Sequence, residues 1–118
     1  MKIKMSSQKF VTAIRATSSR KDVRGIVRFA RAAGADSLVR AWQKLRPVER
    51  IAAFRALSPR DAAAVFAALP ADGKWLVYLG EVSEGAAPLL EGVRPSEAKL
   101  LRRATKRELN AMRKVLAR

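Results

Sequence analysis

The chain has 118 residues, 49% of them hydrophobic and 30% charged, with 25 Lys and Arg against 10 Asp and Glu for a net charge of +15. That apolar content supports one folded domain over 1–118 with a modest core, where disorder would need far less of it. Cysteine and histidine are both absent, which excludes disulfides and thiolate metal sites and removes the commonest general base and zinc ligand.

The remaining routes to catalysis are carboxylate pairs and Lys or Ser nucleophiles, and none stands in a recognisable motif. A non-catalytic protein without metal or cofactor is expected. A chain without cysteine suits a reducing compartment, and a cytoplasmic location is expected.

The start, "MKIKMSSQKF", is basic but lacks an apolar stretch and a small-residue cleavage site, so no signal peptide is expected. No apolar run approaches the roughly 18 residues of a membrane span. A turn or short helix around Phe10, Val11 and Ile14 is expected to cap the domain. "SSRKDVRGIVRFARAAGA" then predicts a helix with Ser19 as N-cap, Asp22 at N3 and Gly34 as its stop. A second helix, from Asp36 to about Lys44, carries Leu38, Val39 and Trp42, with Trp42 expected in packing.

From Leu45 the chain aligns in twelves: "LRPVERIAAFRA", "LSPRDAAAVFAA", "LPADGKWLVYLG", "EVSEGAAPLLEG" and "VRPSEAKLLRRA". The ninth column holds Ala53, Val65, Val77, Leu89 and Leu101, and the tenth Phe54, Phe66, Tyr78 and Leu90. Proline in the third column suits a first helical turn, where its missing N–H has no partner to lose. Two residues later Glu49, Asp61 or Glu97 sits near the positive end of the helix, and "SPRD" at Ser58 approximates a capping box. Gly80, Gly85 and Gly92 are expected to punctuate the later turns. Each block holds roughly eight or nine helical residues, too few to be stable without neighbours. No stretch alternates with period two. The fold class expected is therefore all-α, about seven or eight short helices without an interdomain linker.

The charge divides unevenly. Residues 1–44, the basic N-terminal helices, carry +9; residues 45–70 carry +2 and 71–92 carry −3 within the repeat core; residues 93–118 carry +7. At 100° per residue Lys21, Arg24, Arg28 and Arg31 fall within about 80° of one helix face. Lys99, Arg102, Arg103, Lys106, Arg107, Arg113 and Lys114 fall within about 140° if Ser96 to Leu116 is one longer basic helix. "TKRE" at Thr105 offers a capping box that would start a new helix instead, but charge and apolar faces stay in phase through it, which favours continuity. A single basic stripe is ordinarily a solvated face. Two stripes nearly free of acids point to an anionic partner: nucleic-acid phosphates, an acidic protein surface or acidic lipid headgroups. Aromatics do not interleave with the basic residues, apart from Phe29 near Arg28 and Trp42 near Arg40, so single-strand stacking is not indicated.

Trp75 and Tyr78, beside Leu76 and Val77, are expected in the core. Glu81, Glu84 and Glu91 form one acidic patch, read as a solvated loop with a hard-cation site as the alternative. Lys74 after Gly73 lacks the strand and glycines of a phosphate loop. No helix-turn-helix, zinc or RNA-binding signature is present, and no small-molecule substrate is evident.

Leu45, Pro47 and Glu49, then Leu57, Pro59 and Asp61, then Leu69 and Pro70, and finally Val93, Pro95 and Glu97 form a recurrent Leu-x-Pro-x-acid pattern. In this the run from Leu45 to Leu101 resembles the cytosolic N-terminal domain of MgtE-type magnesium transporters. The middle domain of the flagellar motor protein FliG has a similar build and is a weaker match. The resemblance covers roughly half the chain. It implies a right-handed superhelix of short helices acting as an interaction or regulatory module. Transport and magnesium ligation are not carried over, because this chain is basic and its matching acids are explained as caps.

Overall fold

The computed structural model describes residues 5–118; the first four, part of the basic start read above as no signal peptide, lie outside the described residues. The regular elements are α1 (Ser7–Ser19), α2 (Val23–Ala41), a 3-10 turn (Trp42–Lys44), α3 (Pro47–Ala56), α4 (Pro59–Ala68), α5 (Ala71–Val82), α6 (Ala87–Leu90), α7 (Pro95–Ala98) and α8 (Lys106–Leu116). Among the described residues none is a strand.

The expected short N-terminal cap is a 13-residue helix. The Ser6 hydroxyl accepts the Lys9 N–H at 3.2 Å, and Phe10, Val11 and Ile14 are buried as α1 packs along α2. The start of α2 differs from expectation. Ser19 ends α1, and the Asp22 carboxylate caps α2 by accepting the Gly25 N–H at 3.0 Å. A carboxylate directly at the positive end satisfies the first-turn donors better than a hydroxyl three residues upstream. Lys21 therefore lies in the turn, at φ 55°, and not on the helix with Arg24, Arg28 and Arg31. Gly34, at φ 82°, breaks α2 into two segments where a stop was expected, a geometry that glycine adopts without steric cost.

Helices α3, α4 and α5 start at 47, 59 and 71, on the twelve-residue beat. Pro47 and Pro59 stand in the first turn. Glu49 accepts the Arg46 N–H at 2.8 Å, and Ser58 accepts the Asp61 N–H at 3.3 Å. Between helices the chain needs only two extended residues, Leu57-Ser58 and then Leu69-Pro70. The junction leucines are buried, as is every residue of the ninth column. Gly80 lies inside α5 and not in a turn; a Cβ there would stand 2.8 Å from Ile51 Cδ1, so its bareness admits the α3 side chain. The fourth block departs from the beat. There Glu84, not Gly85, takes positive φ, at 56°.

Trp75 is also a correction. It is 46% exposed, edge-on to Tyr78 at 6.2 Å, and shares an outward face with Leu79 and Val82. The inward face of α5 is Gly73, Val77, Gly80 and Glu81, at i, i+4, i+7 and i+8.

The single C-terminal helix expected over Ser96–Leu116 is not formed. Helix α7 ends at Ala98, and the chain turns and then runs without regular structure to Thr105, where α8 begins. Thr105 and Glu108 make the capping box: Thr105 Oγ1 accepts the Glu108 N–H at 3.1 Å and Glu108 Oε1 the Thr105 N–H at 3.3 Å. The interruption gains more than a cap. Arg102 N donates to Arg55 O at 3.1 Å, Ala104 N donates to Glu81 Oε2 at 2.9 Å, and Leu101 is buried. A continuous helix would have spent those amides on itself.

Arg102 also grips Glu108 through both carboxylate oxygens, at 2.9 and 2.8 Å. That hydrogen-bonded guanidinium holds the Glu108 carboxyl below the ordinary carboxylate range, against the opposing effect of partial burial. A lowered native pKa contributes stability that is complete above the unfolded value and is lost as pH falls through the lowered one. Thr105→Ala is expected to cost about 1 kcal/mol in urea melts at neutral pH. Glu108→Gln is expected to flatten the acid limb of the stability curve. An acid limb identical to the parent's would show that the pair contributes nothing.

Candidate anion-binding surface

Ten of the eleven cations singled out above fall into three groups, with Lys21 apart from them. The first is assembled from both ends of the chain. Helix α7 packs against α2, and Arg24, Val27 and Arg28 line a shallow hollow together with Leu100. Arg31, one turn on, donates from Nε to Ala56 O at 2.9 Å, next to Arg55, whose carbonyl accepts the Arg102 N–H. Lys99 is exposed beside Arg102. The fold thus sets α7 and Leu100 against the Arg24–Arg28 face of α2, while Lys99, between them in sequence, lines the neighbouring hollow with Arg55 and Arg102. Arg24 has only a long pair, 3.9 Å to Glu97, and Arg28 lies 5.7 Å over the Phe29 ring. Lys21 stands apart in its turn, its Nζ donating to Glu91 O.

Helix α8 carries the second group: Lys106, Arg107, Arg113 and Lys114, all exposed. Arg113 donates to Asn110 Oδ1. Among the described residues none of the four has a carboxylate within ion-pairing distance. Arg60 on α4 is a further exposed cation outside both stripes, isolated from other cations in sequence.

Arg102 and Arg103 form the third group, and they serve the fold. Arg102 is held by Glu108, as above. Arg103 pairs with Glu84 Oε2 at 2.7 Å and donates to the Glu81 carbonyl. Both join a cluster centred on Arg55, whose side chain is 1% exposed. Arg55 Nη1 donates to Glu84 Oε1 at 2.7 Å and Nη2 to Gly80 O at 3.1 Å. Its Nε lies 3.4 Å from Glu81 Oε1, an ion pair without hydrogen-bond alignment. The acidic patch read from the sequence is thus divided: Glu81 is buried, Glu84 is chelated by two arginines, and only Glu91 is exposed. Neither a solvated acidic loop nor a cation site describes Glu81 and Glu84, which are committed to internal guanidinium groups. Among the described residues no set of three acids is grouped to hold a metal ion, and no helix is long and apolar enough to cross a membrane.

One signal for this cluster stood in the sequence. Glu81 occupies the first repeat column, where Leu45, Leu57 and Leu69 point inward, so an acid there needed a buried partner.

The chain was compared with family models, with curated proteins and with solved structures, and it matches none of them.

Proposed function

We propose that this protein is a non-catalytic binding or regulatory module that docks an anionic partner through two basic surfaces, α2 with Lys99 and the outer face of α8. One observation carries the reading. Of the eleven cations, eight have no carboxylate within ion-pairing distance among the described residues: Lys21, Arg28, Arg31, Lys99, Lys106, Arg107, Arg113 and Lys114. Solvated faces normally mix signs, so an unpaired set on this scale reports an external anion. The resemblance to the MgtE N-terminal domain agrees with such a role. Helix starts at twelve-residue intervals and two-residue junctions are what a superhelix of short helices needs.

Nucleic-acid phosphates are the second reading, favoured by Arg24, Arg28 and Arg31 standing on successive turns of one helix. Retention of the chain on random duplex DNA and on poly-glutamate, across a salt series, tests both. Retention at about 50 mM salt that weakens by tenfold or more toward about 200 mM is the expected result. Arg28→Glu with Lys99→Glu, and separately Arg107→Glu with Lys114→Glu, are expected to abolish it at unchanged helicity. Arg102 and Arg103 are poor positions for reversal, because their loss would break the pairs with Glu108 and Glu84. No retention on either polyanion at the lowest salt would end the proposal.

A further inference from the structure

An apolar groove of about 420 Å³ lies between α4 and α8. Phe54, Phe66 and Met112 make its floor, each 7% exposed or less. Its walls are small: Ala63 and Ala67 on α4, and Ala111 and Val115 on α8, all open to solvent. Helix α8 rests on α5, which leaves the α4 side of the groove uncovered. The two polar residues at its border are engaged, Lys74 by the Ala67 and Leu69 carbonyls and Glu108 by Arg102.

The charge of the rim is what identifies an occupant. On α8, Arg107 and Lys114 lie within about 60° of Ala111, on the side turned away from Met112. On the opposite wall Arg60 stands one turn before Ala63 and on the side of Ala67. All three are exposed, so apolar walls of small residues are bordered by cations on both sides. We propose that the groove receives an amphipathic helix of a partner protein, with large apolar residues at i, i+3 or i+4 and i+7 and carboxylates on both flanks. The alanines let a helix approach closely while its apolar side chains reach Phe54, Phe66 and Met112. Walls of ten and eleven residues are about 15 Å long, enough for three helical turns. Helix-in-groove recognition of this kind reads its partner through such anchors. The inference rests on the anionic-partner reading and gives it a site and a partner class.

The probe is a fluorescein-labelled peptide of about 18 residues, with leucines on one helical face, glutamates on its flanks and alanine elsewhere. Its control has the same composition with the leucines dispersed around the helix. By fluorescence anisotropy the amphipathic peptide is expected to bind at least about tenfold more tightly than the control. Ala111→Trp fills the groove without changing charge and is expected to weaken binding by about tenfold or more, with duplex DNA and poly-glutamate retention unchanged. Ala67→Leu, on the other wall, repeats the test if Ala111→Trp alters the circular dichroism spectrum. Equal binding of the two peptides, or indifference to both groove-filling variants, would overturn the proposal. If poly-glutamate is retained in that case, the anionic-partner reading survives it; if no polyanion is retained either, both fall. Tight binding of duplex DNA with no preference between peptides would assign the rim to nucleic acid and also overturn the groove.

Discussion

Arg55→Met is expected to destabilise the protein by about 3–5 kcal/mol, because it leaves the Glu81 carboxylate buried without its cation. That is a large share of the roughly 5–15 kcal/mol that holds an ordinary domain together. The Arg55 side chain is 1% exposed and Glu81 3%, so neither charge can recover its hydration by a small movement. Glu81→Leu restores the residue type of the repeat's first column, yet alone it deprives Arg55 of one partner and Ala104 N of its acceptor. Here Glu84 remains on Arg55, so the loss should be smaller than for Arg55→Met. The double variant Arg55→Met with Glu81→Leu removes both buried charges together, and is expected to recover at least half of the Arg55→Met loss. Urea melts of the four proteins make the double-mutant cycle. Additive single losses would show that the two groups do not act as a pair.

Trp42→Ala is expected to cost about 3–5 kcal/mol, as for other large aromatic truncations in a packed core, whereas Trp75→Ala should cost no more than about 1 kcal/mol. Trp42 is 2% exposed and lies where α2, α3 and α5 meet. Arg50 reaches across its ring at 5.7 Å and donates to its carbonyl at 2.8 Å. Gly73 makes room for the indole, since a Cβ there would approach Nε1 to 3.2 Å. Trp75 is 46% exposed and stands edge-on to Tyr78 at the surface. Urea melts give the energies. The single-tryptophan variants give the environments: the protein retaining Trp42 should emit in the blue and resist acrylamide quenching, and the one retaining Trp75 should do neither. Equal losses for the two truncations would contradict the burial described above.

Much of the middle of the molecule was legible because local chemistry and tertiary demand agree there. Pro47 and Pro59 start helices, Gly34 interrupts one, and the ninth column is buried throughout. Misreadings arose where two signals competed. At Thr105 the cap motif was visible, but the cations and apolar residues on either side happened to stay in helical phase. The tertiary bonds of Arg102 N and Ala104 N decided for a break, and those partners lie 47 and 23 residues away. The apolar neighbours Leu76, Val77 and Tyr78 point Trp75 inward, although it shares a repeat column with Ala63, which is exposed. The basic surface was legible as an excess of charge but not as a place. Separating Arg102 and Arg103 from the free cations needed the carboxylates that hold them: Glu84 lies 19 residues from Arg103, and Glu108, six from Arg102, would stand on another face of a continuous helix.

Helices α6 and α7 are four residues each, a single turn that cannot hold its own amides against water. Their persistence comes from the Arg55, Glu84 and Arg103 contacts on one side and the α2 packing on the other. Their helical form therefore rests on tertiary contacts and on the burial of Ala86, Leu89 and Leu101, not on helix propensity. An anion that binds this native arrangement and not the unfolded chain would therefore stabilise α6 and α7 together with the rest of the fold.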